Sequence, residues 1–314
     1  MSVSSNPFSM RRITSADLEL LFGWVGTEPV VWIDDTRLRR ELDSRNYRPE
    51  WSWVAEQDGS PIGRALWWGG DTAERPSTLD CLLIRDGTEH PEHVGAALIA
   101  EGLKAFGPGS ALEFNIDAAT AWADDPAAVA AVRWRGQAAK AGGFSRTTER
   151  VSYRRSAADP RPARSTRLTF EAAPDATFRG MFARVADGSL DAYTLHIVAT
   201  EGIEALADDD LEFYLSLPGE RDSWRVAVLD DRTPVGFMIP TRTAYDASIS
   251  YLGILPEHRG NGYVHDVLAE MVHVHHDNDQ DQIVGTTDLA NTPMRAAFES
   301  AGFQVSRRRI VHEQ

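Results

Sequence analysis

Cysteine is nearly absent from this chain: among 314 residues there is one, Cys81. A single thiol excludes an intramolecular disulfide and a cysteine-built zinc site. It sits in the strand-like run Leu79-Asp80-Cys81-Leu82-Leu83-Ile84, where a small buried core residue is the plainer reading than a nucleophile. Long apolar runs are also missing. No stretch approaches the length needed to span a bilayer. Met1 to Arg12 lacks the apolar core of a signal peptide. The expectation is a cytoplasmic protein with no membrane partner. Positive charge is scarce as well. There are 32 Lys and Arg against 47 Asp and Glu, a formal net charge of −15 at pH 7. That argues against nucleic acid as a partner and is compatible with a cationic acceptor such as an amine.

What is present suits an ordinary globular chain long enough for two domains. The segment Ser156-Ala157-Ala158-Asp159-Pro160-Arg161-Pro162-Ala163-Arg164 is rich in Pro and Ala and has no periodicity, so it reads as a linker. The expected division is a first domain over 1–156, a linker over 157–166 and a second domain over 167–314. In the second, a short strand (167–170) and a helix (175–185) lead to a further helical region (201–217). A hairpin follows around Asp230-Asp231, and residues 304–312 return as a last strand. The first half repeats this order: a helix over 16–24, another near 36–44, and a hairpin around Asp58-Gly59. A strand (78–84), a helix (93–106), a strand (111–116), a helix (126–141) and a closing strand (151–154) complete it. Gly143-Phe144 and Gly302-Phe303 stand at matching places. A repeat of this length points to duplication of a whole domain.

The stretch that carries chemistry is Pro256-Glu257-His258-Arg259-Gly260-Asn261-Gly262-Tyr263-Val264. It follows an apolar strand (249–255) and precedes Val264, Val267, Leu268, Met271 and Val272 at helical spacing. A glycine-bearing turn there exposes several backbone N–H groups beside the positive end of the helix dipole, which suits a phosphate or pyrophosphate. Arg259 adds charge from the side. About thirty residues on, a short strand (283–288) leads to Asn291-Thr292-Pro293-Met294. These open a helix with Pro293 in its first turn, and Gly302-Phe303 closes it.

These two segments, in this order, resemble the acyl-CoA site of the GNAT superfamily of N-acetyltransferases. The family's loop pattern maps onto Arg259, Gly262 and Val264, with valine where glycine or alanine is usual. The resemblance implies an α/β (α+β) chain of two tandem GNAT-like domains, each a mixed, largely antiparallel sheet flanked by helices. It implies acetyl-CoA as cosubstrate, no metal, and acetyl transfer to a primary amine of a small molecule or peptide. Antibiotic modification and peptide tailoring fit that acceptor class equally. It places Arg259, Gly260, Asn261, Gly262, Tyr263 and Val264 around the pyrophosphate. Backbone groups of Leu252, Ile254 and Leu255 and the side chain of Asn291 fall along the pantetheine. The first half lacks the loop: Thr88-Glu89-His90-Pro91-Glu92-His93-Val94-Gly95 has no Arg and one Gly. It is expected to be a degenerate copy that braces the second.

Phe298 falls where the family often has a tyrosine that protonates the departing sulfur. This leaves open a non-catalytic acyl-CoA-binding or regulatory protein; a longer acyl group is a further alternative. For the general base, Asp246 is the one carboxylate on the approach to the diagnostic strand, where it alternates with Ser248 and Ser250. His196 lies in a segment that borders the acceptor in this fold. Asp288 is expected to cap the turn before Asn291. His273, His275 and His276 share a helix end, but its dipole explains them better than a metal does. The run Asp208-Asp209-Asp210 reads as a solvated turn, with attraction of a cationic acceptor as the alternative.

Overall fold

The computed structural model describes residues 8–24, 28–31, 34–107, 112–156 and 158–314. Ala111, the expected start of one strand, and Ala157, the first residue of the expected linker, lie outside them. In chain order the elements are β1 (Ser9–Arg12), β2 (Val30–Val31), α1 (Asp35–Asp43), β3 (Tyr47–Gln57), β4 (Ser60–Trp68), β5 (Thr78–Ile84), α2 (Pro91–Phe106), β6 (Glu113–Ala118), α3 (Pro126–Gly142) and β7 (Arg146–Ser156). They continue as β8 (Thr169–Glu171), α4 (Asp175–Val185), α5 (Ala192–Thr200), α6 (Ile203–Ser216), β9 (Arg225–Val228), β10 (Pro234–Arg242), β11 (Ala247–Ile254), α7 (Tyr263–Asp277), β12 (Gln282–Asp288), α8 (Thr292–Ser300) and β13 (Gln304–Glu313). Residues expected as a first helix, 16–24, instead form a 3-10 helix over Ser15–Leu21.

The chain divides into two compact units. One holds residues 1–149 and 307–314, the other 150–306. The sheet of the first runs β1-β3-β4-β5-β6-β13, and that of the second runs β7-β12-β11-β10-β9-β8. Each is antiparallel except for one parallel pair, β5 with β6 and β11 with β12. The last strands are therefore exchanged relative to the sequence reading. Val151–Arg154, expected to close the first sheet, pairs with β12 from Val151↔Thr287 to Arg154↔Val284. Residues 308–313 of β13, expected to close the second sheet, pair with β6. The period-2 pattern of such a strand specifies its faces, not its neighbour, so the sequence does not distinguish these arrangements.

Local chemistry accounts for the repeated parts. Asp58 and Gly59 have φ of 51° and 76°, the doubly positive pair that a two-residue hairpin needs. Gly143 and Gly302 are both left-handed at helix ends. In each case the following Phe donates its N–H five residues back, Phe144 to the Ala139 carbonyl and Phe303 to that of Phe298, a C-terminal helix cap in both halves. In the second unit the sheet is covered on both faces. Met238, Ala247, Ile249, Val267, Leu268, Met271, Val272 and Phe298 fill the α7–α8 side. Phe178, Phe182, Val226, Phe237, Ile239 and Leu255 fill the α4 side. Residues 158–166 carry no helix or strand and are pinned along α7: Arg161 reaches Asp277 at 2.6 Å and Arg164 reaches Glu270 at 2.7 Å. Among the described residues no helix is long and apolar enough to cross a membrane.

Phe298 stacks on Tyr153 of β7 with centroids 4.8 Å apart and lies under Gly285, where an added Cβ would meet its ring at 2.5 Å. Replacing Gly285→Ala should lower unfolding stability by about 1–3 kcal/mol through overpacking. Urea titration of the variant against the parent checks this.

Candidate active site

The parallel pairing of β11 and β12 runs only through Ala247↔Ile283, Ser248↔Val284 and Ile249↔Gly285, and then stops. At the same place β11 shifts register against β10: Ile239 faces Tyr251 while Pro240 faces Ile249, which leaves Ser250 as the extra residue of a bulge. The bulge turns the strand over. Ile249 packs on the α7 side and Tyr251 on the α4 side, although two residues apart in a regular strand share a face. Beyond it the N–H of Leu255 is bonded to Val235 of β10. By alternation Leu252 and Ile254 turn their peptide groups to the opposite edge, toward the gap. Of the three backbone contacts expected along the cofactor, Leu252 is thus presented, and Ile254 through its N–H alone, since its carbonyl accepts from Arg259. Leu255 is not: its N–H is spent and its side chain is fully buried.

The gap leads to the helix-start loop. Gly260 and Gly262 have φ of 80° and 73°, which only glycine adopts readily. Between them the N–H groups of Gly260, Asn261 and Gly262 have no partner among the described residues, and an added Cβ on Gly260 would meet nothing within 4 Å. Tyr263 and Val264 open α7 behind them. The Asn261 amide donates to the carbonyls of His258 and Arg259 and so shapes the turn from within. Arg259 is placed differently from its expected flank of a phosphate. Its guanidinium donates to Ile254 O at 3.1 Å, Val185 O at 2.8 Å, Asp187 O at 2.6 Å and Gly188 O at 3.1 Å, tying the end of β11 to the end of α4. Arg167, which the sequence reading did not single out, lies at the loop instead. It donates to Asn261 O at 2.9 Å, pairs with Asp266 and covers the Tyr263 ring at 4.6 Å. Asn291 is the N-cap of α8, its Oδ1 accepting from Met294 N at 3.2 Å. Phe298 is 2% exposed in the core, so its ring is a floor beneath β12 rather than a cofactor contact.

The expected capping role of Asp288 passes to Asn291. The Asp288 carboxylate is buried at the end of β12. It accepts from Arg150 Nε of β7 at 3.0 Å and from Ala192 N, the first N–H of α5, at 2.7 Å. Asp191 caps α5 through Thr194 N at 2.8 Å and lies 3.9 Å from Arg150. The acidic run 208–210 is not a turn but part of α6. Asp208 faces out to Arg179 at 2.5 Å, whereas Asp210 is 9% exposed and no hydrogen bond to its carboxylate is found among the described residues. Burial, then Asp191 and Asp209, push the Asp210 carboxyl up to about 7. Tyr214 and Tyr251 stack with centroids 5.0 Å apart. Burial first, and Asp210 next, hold both phenols well above their ordinary range, so both stay protonated. Asp210 is the functional candidate that the sequence reading missed as an individual; its spacing with Leu206, Ala207 and Leu211 on an amphipathic helix is the signal that points it inward.

The two residues offered as bases lie elsewhere. Asp246 precedes β11 and accepts from Gln282 Nε2 at 3.3 Å. It is beside the paired end of the strands, roughly 16 Å of extended chain before Tyr251. His196 is on α5, half-buried, with no side-chain partner among the described residues. The three histidines of α7 do not converge. His273 donates to Pro162 O, His275 to Ser248 O, and His276 accepts from Arg155.

Residues 167–304 match the family model described as acetyltransferase (GNAT) domain. This half is a GNAT acetyltransferase domain. The match supports an acyltransferase enzyme and rests on this half of the chain. Among solved structures it is similar over 99% of its length, and 96% of the other's, to a GCN5-related N-acetyltransferase from Sphaerobacter thermophilus, at 16% identity and TM-score 0.55. A glucosamine N-acetyltransferase region of a fungal multi-domain GH3 beta-N-acetylglucosaminidase is similar over 99% of this chain and 38% of that one, at 12% identity and TM-score 0.52. A tandem GNAT protein from the clavulanic acid biosynthesis pathway is similar over 84% and 82%, at 17% identity and TM-score 0.46. At these identities the likeness is one of fold. A sequence comparison with curated proteins finds no match.

The raised carboxyl of Asp210 has a stability consequence. Its folded value, about 7, lies above the ordinary 3.8. Below the ordinary value the group is protonated in both states and costs nothing. As pH rises from there through 7 it opposes folding, and the opposition is complete above 7. Asp210→Asn should therefore stabilise the protein at pH 8, by a few kcal/mol at most, and leave it unchanged at pH 3.5. Unfolding midpoints measured at both pH values check the sign.

Proposed function

We propose that the second unit takes up acetyl-CoA and transfers its acetyl group to a primary amine of a small molecule or peptide. The observation that carries this reading is the gap between β11 and β12, where β11 offers the Leu252 peptide edge and the Ile254 N–H, ending on a loop with three N–H donors unpartnered among the described residues. A pantetheine arm laid beside β11 as an added strand bonds the edge groups of Leu252 and the Ile254 N–H. The pyrophosphate sits on the N–H groups of residues 260–264 at the positive end of α7. A peptide N–H at the bulge polarises the thioester carbonyl, which is where charge develops as the amine attacks. Holding amine and thioester together supplies much of the remaining acceleration.

Phe298 motivates a reading as a non-catalytic acyl-CoA binder, because no hydroxyl stands at that place. The protonated phenols of Tyr214 and Tyr251, stacked beside the bulge, favour turnover: either can give the departing sulfur a proton. The first unit, in this reading, binds no CoA. Its parallel pair stops after Thr78↔Glu113 and Leu79↔Phe114, but β2 pairs along β6. The buried Arg135 donates to Leu82 O at 3.2 Å and is paired with Glu28 at 2.7 Å. Pro91 at the start of α2 lacks an N–H, and Arg and the second glycine are absent. A cofactor there finds the edge occupied and the phosphate donors reduced.

Calorimetry with the whole chain tests the proposal. One equivalent of acetyl-CoA is expected to bind. Gly262→Val, which forces a branched side chain into a left-handed turn under the phosphates, should weaken binding at least tenfold. No uptake by the parent protein would overturn the assignment.

A further inference from the structure

Asp288, Asp191 and Asp210 lie close enough to influence one another near the end of β12, and Arg150 pairs with the first two. Asp288 and Asp191 are each hydrogen-bonded, to Ala192 N and Arg150 in one case and to Thr194 N and Oγ1 in the other. Asp210 is not, although nine-tenths of it is buried. A bare carboxylate in that position is stable as an anion only if a cation joins it. Arg150, a cation beside the cluster, is engaged by Asp288 and Asp191. Tyr214, four residues on from Asp210 in α6, stacks on Tyr251, and Tyr251 belongs to β11 just past the bulge, where a thioester would lie. We propose that Asp210 receives the ammonium group of the acceptor and takes from it the proton it must lose before attack, so that the acceptor is a primary amine that arrives as a cation. This rests on the reading of the second unit as the acyl-CoA site.

The step balances as follows. One N–H proton of the ammonium passes to the Asp210 carboxylate, leaving a neutral amine and a neutral acid. The amine lone pair forms the C–N bond, the C–S bond breaks, and its electrons leave on sulfur. A second N–H proton passes from the attacking nitrogen to that sulfur, through a phenol or solvent, and the third remains on the amide. The Asp210 proton then returns to solvent. The groups facing Asp210 are Asp191 from α5, Asp209 and Tyr214 from α6 and Tyr251 from β11, with Arg150 of β7 and Asp288 of β12 behind Asp191. The net negative field raises the affinity of Asp210 for a proton and attracts an ammonium alike. A titration near 7 places the exchange in the range where a base works best.

The test uses the full chain saturated with acetyl-CoA, whose binding is confirmed by calorimetry, and n-butylammonium chloride as the probe. The Asp210 carboxyl resonance is followed by carbon NMR, with Asp210→Asn identifying it and Asp210→Glu as the conservative control. The expected result is titration near neutrality, moved down by a unit or more on adding the probe. That corresponds to at least tenfold tighter binding to the ionised form. Asp210→Asn should lose the probe's effect and Asp210→Glu should keep it, with acetyl-CoA affinity unchanged within twofold in both. If acetyl-CoA binds and Asp210 titrates among surface carboxylates, or ignores the probe, the inference is overturned and the cofactor assignment stands. Failure of the parent protein to bind acetyl-CoA overturns both.

Discussion

The break in main-chain pairing after Ile249↔Gly285 is the constraint around which the second unit is organised. Unpaired peptide groups inside a sheet are costly and invite collapse, so the gap needs devices that hold it open. Both strand ends are fastened to one short connection. Arg259 bonds the carbonyls of Val185, Asp187 and Gly188, at and just beyond the end of α4, to the end of β11. Asp288 bonds the first N–H of α5 to the end of β12. The α4–α5 connection thus grips the two strands at separate points and fixes their divergence. The bulge at Ser250 completes the arrangement by rotating Tyr251 away from the α7 side. An arginine matched to a phosphate-loop pattern therefore works as a brace between β11 and α4.

The first unit repeats the divergence and closes it. A two-residue strand, Val30–Val31, and the Arg135–Glu28 pair occupy what the second unit leaves open. The Arg135 guanidinium is buried and satisfied by Leu82 O, Ala131 O and Glu28, which is the condition under which a buried charge is tolerated. With those bonds formed, the first unit needs no ligand to satisfy that part of its strand edge.

Legibility followed the range of the forces involved. The loop and α7 could be read because left-handed glycines and an apolar stripe are local requirements. So could α8, bounded by Asn291, Pro293 and Gly302. What could not be read depended on which distant groups meet. Val151–Arg154 and residues 308–313 have the pattern of sheet strands, yet nothing in that pattern names β12 or β6 as partner. Asp210 lies in a run of three acids that reads as solvated, and only its burial in the folded unit separates it from Asp208. Phe298 matched a family position, but its role as a floor under Gly285 follows from the absence of a Cβ there. Asp246 shared a face with Ser248 on paper, while the gap opens at the other end of the strand.

The exchanged strand bears directly on the chemistry. The matched family domain spans residues 167–304, yet three side chains from before that span complete the unit. Tyr153 of β7 supplies the ring against which Phe298 stacks. Arg155 holds the Ala301 carbonyl, at the end of α8, at 3.1 Å and meets His276 of α7 at 3.1 Å. Arg150 is the cation that lets Asp288 and Asp191 lie close together. Without Arg150 the carboxylates at the mouth of the gap would repel one another, and the α5 terminus would lose its hold on β12. The strand that the chain writes before residues 158–166 therefore contributes to the charge balance around the gap, and a cut within those residues would remove Arg150 and change the electrostatics of the second unit.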